Sequence, residues 1–354
     1  MAAFEDFSGK VSSKTFKDEL MNLCGADRPD VICGPAFGVD TAIVDLGDGQ
    51  ALAISSDPLS LIPSLGMKVS AWLSVHLLAN DMSTTGFAPQ FAQFVLNLPP
   101  RVSREQFAEF WRFIHEVCQT LGIAITGGHT GQAPGQDSTI AGGGTMFLKA
   151  RKDQILSSNQ AQAGDSVILT KHAAISSTAI LAMAFPQTVI EAFGEETQEK
   201  ASGNFWKLSV LEEALIASKS LRAREELHAM HDVTEGGVLG ALIEMADASG
   251  LGFLLESDNV PVPNEVQKVA RLFEIDPLIS VGAGAMLISV KAGNEEKLIK
   301  ALAESGIHAT VIGTLTAEKS KLIRANNGAI QKVDFDGRDP YWGAFFKAVE
   351  TGMQ

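Results

Sequence analysis

Hydrophobic and polar positions change period repeatedly along the chain, and each change marks an element. Residues 12–23 carry an amphipathic helical pattern ahead of a loop rich in Gly, Pro and Asp. From Val39 the period shortens. Residues 41–46 and 51–55 read as two strands, and Gly47, Asp48, Gly49 and Gln50 between them tolerate tight-turn angles, which predicts a hairpin. Residues 68–85 form a largely apolar helix, and residues 91–98 a strand stopped by Pro99 and Pro100. Ser103, with Gln106 three residues later, has the form of a capping box. The helix it starts runs to residue 121 and sets Phe107, Phe110, Trp111, Ile114 and Val117 on one face. Residues 123–126 make a short strand that enters a loop at Gly127, Gly128, His129 and Thr130. A stretch rich in Gly, Pro and Gln follows, before a strand at 141–150.

A polar segment, 152–163, separates this unit from a strand-like run at 165–170. Beyond it, helical runs at 173–184, 238–248, 264–273 and 295–304 alternate with strand-like runs at 229–233, 251–255, 285–290 and 309–313. The tract 194–203 reads as a polar loop, and another helix follows it to residue 217. Such alternation predicts an α/β second domain. The expected division is residues 1–150 and 164–345. In the first unit the order of elements puts helices on one face of a sheet and leaves the other face needing cover, so a homodimer packed sheet to sheet is expected.

A length of 354 residues exceeds one ordinary core and supports that division. The most apolar runs, such as 175–185, are too short for a bilayer and lie deep in the chain. Neither a membrane span nor a signal peptide is expected, and the expected location is cytoplasmic. Cys24, Cys33 and Cys118 are odd in number with no close pair, which argues against a disulfide framework or a zinc site. A net charge of −14 without a basic cluster disfavours nucleic acid as a partner. ATP is not disfavoured in the same way, because a divalent cation can join carboxylates to phosphate oxygens.

Four carboxylates fall at loop or element ends: Asp40 beside Gly38, Asp57 before Pro58, Asp81 after Asn80, and Asp232 ahead of Gly236 and Gly237. Were they to converge, like charges about 4 Å apart would repel by roughly 4 kcal/mol at an effective dielectric near 20. Magnesium, hard and oxygen-seeking, would offset that repulsion. Asp40 alone also fits a turn or cap, and Asp57 a turn-initiating Asp-Pro. Asp81 is the sharper case, since a charge in a mostly apolar helix needs a partner, a ligand or solvent. Gly127, Gly128, His129 and Thr130 offer small residues and a hydroxyl where backbone donors could approach phosphate, although a plain turn has the same make-up. In the run from His231 to Gly237, Asp232 and Glu235 can bind a cation or polar substrate, and Thr234 can bond a phosphate. Gly236 and Gly237 permit close approach at a helix start, and His231 could act as a general base. A helix-capping loop accounts for many of these types too. Neither the dinucleotide glycine pattern nor the phosphate loop ending in Lys-Ser or Lys-Thr occurs.

In order and spacing, GPAFGVDTAIVD, SSDP, HLLANDMSTTGFAPQF, TGGHT, GDSVILTK and MHDVTEGGVLGALIEMA resemble one superfamily. It contains aminoimidazole ribonucleotide synthase, formylglycinamidine synthase, selenophosphate synthetase, thiamine-monophosphate kinase and the hydrogenase maturation factor that dehydrates a carbamoyl group. The resemblance spans residues 34–313. VPVPNEVQKVARLFEIDPLISVGAGAMLISV, followed by a helix and VIGTL, is most similar to the hydrogenase maturation branch. The resemblance implies a PurM-like two-domain fold of α/β (α+β) class. Its N-terminal domain would bind ATP and magnesium and dimerise through a shared β-barrel, and a larger C-terminal α/β domain would complete the cleft. It implies magnesium and triphosphate contacts at Asp40, Asp57 and Asp81 with Asn80 beside them. Gly127, Gly128 and Thr130 would line the phosphate region, and Asp232 and Gly236 would border the cleft. His129 stands where the family commonly has Asp or Glu, which bears on the number of metal ions. The hydrogenase branch ends in a segment whose cysteine receives carbamoyl. Here the last residues run from Glu350 to Gln354 and the last cysteine is Cys118, so the standard form of that reaction is not expected.

The leading expectation is ATP- and magnesium-dependent activation of a small carbonyl, amide or carbamoyl substrate, with phosphoryl transfer turning its oxygen into a better leaving group. Plain phosphorylation of a small metabolite is the nearest enzymatic alternative. A non-catalytic nucleotide-binding regulatory or assembly protein is the alternative from another class. The implied partners are a second copy, a small-molecule substrate and a maturation protein.

Overall fold

The computed structural model describes residues 9–135, 139–325 and 327–354. Gln136, Asp137 and Ser138, in the loop expected after Thr130, lie outside these. After β1 (Val31–Cys33), the predicted hairpin joins β2 (Ala42–Gly47) to β3 (Gln50–Ser60). Asp48 and Gly49 both take positive φ, 49° and 72°, as a two-residue hairpin turn requires. The remaining strands of this sheet are β4 (Phe91–Leu98), β5 (Ala124–Gln132) and β6 (Ile140–Arg151). Ser103 and Gln106 make the expected reciprocal cap at the start of the helix Arg104–Leu121.

Two strands run further than their local patterns suggest. β3 continues through Asp57 and Pro58, which pair with Gly144 and Gly143 of β6, so the Asp-Pro step is strand and not turn. β5 absorbs Gly127, Gly128, His129 and Thr130, read above as a loop, by pairing in parallel with β4. The reason is steric. A Cβ on Gly128 would lie 1.9 Å from the carbonyl oxygen of Phe94, so the glycine lets two backbones approach.

The first sheet has the order β1-β2-β3-β6-β4-β5 and is antiparallel except between β4 and β5. Helices Met67–Ser83 and Arg104–Leu121 pack with it around Phe94, Phe110, Ile114, Met146 and Leu148. On β4, Ala92, Phe94, Leu96 and Leu98 are buried while Gln93, Val95 and Asn97 alternate outward. The sheet is open, with β1 and β5 as edges, and the barrel implied by the resemblance is overturned. Closure would need the edge strands to pair with each other; here the sheet buries one face under helices instead of curling on itself.

The second sheet contains β7 (Ser166–Thr170), β8 (Leu227–Asp232), β9 (Gly252–Glu256), β10 (Met286–Val290), β11 (Ala309–Thr316), β12 (Lys321–Arg324) and β13 (Ile330–Lys332). Its order is β13-β12-β9-β11-β7-β10-β8, it is also open, and only β9 and β12 pair in parallel. Together the sheets and helices make a mixed α/β fold. The tract expected as a polar loop is the helix Glu195–Gly203, because Thr197 and Ala201, one turn apart, bury a shared face. Among the described residues no single helix is long and apolar enough to cross a membrane. The apolar pair Ile175–Ala184 and Pro186–Phe193 is bent by 98°, and its first member is largely buried.

The two halves are tied at Asn80. Its Nδ2 donates to the carbonyl of Leu208 at 2.8 Å and its Oδ1 accepts from the amide of Val210 at 3.0 Å, with the side chain fully buried.

Gly128→Ala is expected to destabilise the protein by about 1–3 kcal/mol in urea unfolding. Gly127→Ala is expected to cost less, since its Cβ would meet nothing nearer than 3.9 Å. Equal costs would contradict the close-approach argument.

Candidate functional site

Asp40 leaves the loop ahead of β2. A Cβ on Gly38, at φ 77°, would sit 2.4 Å from the carbonyl oxygen of Glu244, so glycine is what lets this loop lie against the helix Gly237–Ala248. Asp57 projects from β3, Asp81 from the last turn of Met67–Ser83, and Asp232 ends β8. Ser158 Oγ donates to Asp40 Oδ2 and Ser55 Oγ to Asp81 Oδ2, each at 2.7 Å. His231 Nδ1 donates to the carbonyl of Asp232 at 2.8 Å. Its Nε2 then lies 3.6 Å from Asp40 Oδ1 and 3.3 Å from Glu244 Oε2, without hydrogen-bond geometry to either. Ligand atoms of Asp40, His231 and Asp232 fall within 4.8 Å of one another, and Asp232 Oδ2 is buried without a hydrogen-bond partner among the described residues.

Burial pushes all four aspartates up; the neighbouring acids add to it, and His231 and Lys10 oppose it. Asp81 is raised well above the carboxylate range by burial and then by Asp232, Asp57 and Asp40, so the four acids share one electrostatic neighbourhood. Burial and then Asp40 lift Asp232 to about 7, against the pull of His231 and Lys10. Burial lifts Asp57 to about 6 while Lys10 opposes, and burial raises Asp40 with His231 opposing. Burial disfavours the charge on His231, but Asp40, Glu244 and Asp232 outweigh it and hold the imidazole at about 9. Burial likewise works against Glu244, yet Lys10 and His231 hold it at about 2. Lys10, half exposed, donates from Nζ to Thr234 Oγ1 at 2.9 Å and lies 3.6 Å from Glu244 Oε2. Its amide donates to Glu235 Oε2 at 2.5 Å. Among the described residues, Asp40, Asp57, Asp81, Asp232, Glu235 and Glu244 face Lys10 and His231 as the cations of this group. That excess of oxygen donors, one of them buried and unpaired, fits a hard divalent cation.

The family model for the AIR synthase related protein N-terminal domain matches residues 38–147, and that for the C-terminal domain matches residues 162–325. The chain belongs to the AIR synthase-related family. Among its relatives is a Methanocaldococcus jannaschii protein provisionally named for hydrogenase expression and formation. It is 26% identical over 338 residues, covering 94% of this chain and 96% of the relative. The selenide, water dikinase of Aeromonas salmonicida is 26% identical over 342 residues, covering 87% and 92%. Among solved structures, E. coli HypE superposes with a TM-score of 0.69 at 20% identity, covering 88% of this chain and 94% of that one. A HypE solved in complex with ATP gives 0.67 at 17%, covering 95% and 97%. AaThiL complexed with AMPPCP and TMP gives 0.66 at 18%, covering 86% and 91%. These likenesses describe a shared fold.

Within this member of the family the other sequence candidates separate. Asn80 is spent on the backbone of Leu208 and Val210. Gly127, Gly128, His129 and Thr130 lie on edge strand β5, three strand spacings or about 14 Å from β3, the strand that carries Asp57. Thr234 and Glu235 do reach the pocket rim through Lys10, and Glu235 Oε1 also accepts from Trp342 Nε1 at 3.3 Å. The amide of Gly236 donates to Asp339 Oδ2 at 2.8 Å, and Gly237, at φ 61°, packs against the carbonyls of Leu278 and Ser280. Lys10, Ser55, Ser158, Glu244 and Asp339 escaped the sequence reading. Glu244 carried a usable signal, an acid inside the apolar helix VLGALIEMADA, the same argument that singled out Asp81. The others have no local mark, since their roles depend on contacts across the fold.

Asp232→Asn is expected to raise the melting temperature of cation-free protein at pH 8, by about 1–2 °C per kcal/mol of repulsion relieved. The sign follows from linkage: a carboxyl lifted from 3.8 to about 7 favours folding only while protonated, and that contribution is lost as pH rises through 7. The gain should shrink to nothing as pH falls to the ordinary carboxylate range. A melting temperature lowered at pH 8 would contradict the crowding of charge.

Proposed function

We propose that the pocket of Asp40, Asp57, Asp81 and Asp232 binds ATP with magnesium, and that the protein transfers the terminal phosphoryl group to an oxygen of a small carbonyl, amide or carbamoyl substrate. The observation that carries this reading is the convergence of half-buried carboxylates from separate elements beside a buried Asp232 oxygen that has no hydrogen-bond partner among the described residues. Relatives solved with ATP, or with AMPPCP and TMP, support nucleotide as the ligand class.

Asp40, Asp57 and Asp81, with Asp232 beside them, would hold the metal, which when bound neutralises phosphate charge and polarises the phosphorus. Ser158 and Ser55 orient two of these carboxylates by donating to them. Thr234 and Glu235 stand at the rim with Lys10, where a phosphate or polar substrate would meet an ammonium and a hydroxyl. His231 balances the acids as an imidazolium; a cation among them would lower its proton affinity and return it to the general-base range.

Thiamine-monophosphate kinases share this fold, which favours small-metabolite phosphorylation as a second reading. A second copy is the proposed cover for the open face of the first sheet, where Val95 is 42% exposed beside the stacked Phe91 and Phe147. A HypE–HypF complex is among the similar structures, so a maturation protein is a proposed partner, and the cytoplasm the proposed location.

Calorimetry of the full chain with ATP tests the core of this reading. Chelating magnesium, or substituting Asp81→Asn, should each weaken binding at least about tenfold, or 1.4 kcal/mol. Unchanged affinity in both arms would sink it. With candidate substrates, equal yields of ADP and a stable phosphorylated product would select the kinase reading. Release of inorganic phosphate with a dehydrated or ring-closed product would select the activation reading.

A further inference from the structure

The helix that carries Asp81 has a second polar stripe. Trp72, His76 and Asn80 recur every fourth residue of Met67–Ser83 and so share one face. Asn80 is satisfied by Leu208 and Val210, but its neighbours on the stripe are not. His76 is 3% exposed and neither ring nitrogen has a hydrogen-bond partner among the described residues; Trp72 Nε1 is likewise buried and unpaired among them. Both residues border a cleft of about 460 Å³ whose walls include Leu121, Leu215 and Ile216, with Glu212 and Lys219 at its exposed margin.

Packing alone does not explain three unpaired polar atoms around one apolar cleft. Each buried donor or acceptor left unmade costs about 1–3 kcal/mol, a cost that Leu or Phe at these positions would not carry. We infer that this cleft is a second ligand site, for a small uncharged planar molecule bearing a hydrogen-bond donor and acceptor on one edge, such as a carboxamide or a lactam. Trp72 Nε1 offers one donor, and a neutral imidazole offers one donor and one acceptor, which together match such an edge. Burial and then Lys171 lower His76 to about 4, so the ring is neutral near pH 7. The rings of Trp72 and His76 lie 4.1 Å apart by centroid, and Trp206 meets Trp72 edge-on at 5.3 Å, presenting aromatic surface to a flat ligand. Glu212 and Lys219, opposite in sign and both exposed, stand on the same wall, so the cleft favours neither sign of charge on a ligand. The volume falls within the roughly 300–1,000 Å³ of small-molecule sites. Asp81 follows His76 by five residues, about 7.5 Å along the axis and about 140° around it, so the cleft and the carboxylate pocket use different faces of the helix.

The chain has four tryptophans, so indole N–H signals in ¹H–¹⁵N spectra are few, and the one missing in Trp72→Phe assigns Trp72. Nicotinamide and uracil, titrated to about 10 mM without nucleotide or magnesium, are the probes. At least one should move the Trp72 signal saturably. His76→Leu should weaken that binding at least tenfold, and Leu215→Glu, at a wall position 39% exposed where folding is not at stake, should abolish it. No saturable shift with either probe, or binding unaffected by Leu215→Glu, would overturn the inference. Because nucleotide and magnesium are absent, neither outcome depends on the function proposed for the carboxylate pocket.

Discussion

The structure turns on the mutual repulsion of four aspartates, Asp232 buried and the other three half-buried. Asp40, Asp57, Asp81 and Asp232 arrive from a loop, a strand, a helix end and a second sheet, and each has its proton affinity raised by the shared enclosure. No element supplies two of them, so the cluster exists only because the two halves of the chain are held in register. Lys10 and His231 offset part of the charge, and Glu244 stays ionised because it sits between them. The remaining negative excess is what the proposed cation would offset.

Holding that cluster together falls to ordinary contacts at its margins. Asn80, next to Asp81, fastens the helix of the first half to Leu208 and Val210 of the second. Gly38 lets the Asp40 loop lie against the helix carrying Glu244, and Ser55 and Ser158 orient two carboxylates. An acid in this pocket thus usually has a neighbour whose task is to position it. The same helix carries Trp72 and His76 on another face, where two polar side chains remain without protein partners.

Much of the fold was legible because its signals are local. The hairpin at Asp48 and Gly49, the Ser103–Gln106 cap and the alternation along β4 each depend on a few adjacent residues. The misreadings share a cause. Gly127 to Thr130 looks like a loop until β4 is beside it, Asp57-Pro58 looks like a turn until β6 pairs across it, and 194–203 looks like a polar loop until Thr197 and Ala201 find a core. The barrel came from resemblance, and the open edges of β1 and β5 decide against it.

By itself the sequence determined most element types and the family, and it singled out the aspartates, because periodicity, motif order and a charge in an apolar run are written in neighbouring positions. Only the tertiary structure decided that those aspartates meet, that Lys10, Glu244 and His231 balance them, and that the strand of Gly127 to Thr130 lies at the edge of its sheet. Proximity between residues far apart in the chain is a property of packing, and the Coulomb energy that governs this pocket depends on that proximity alone.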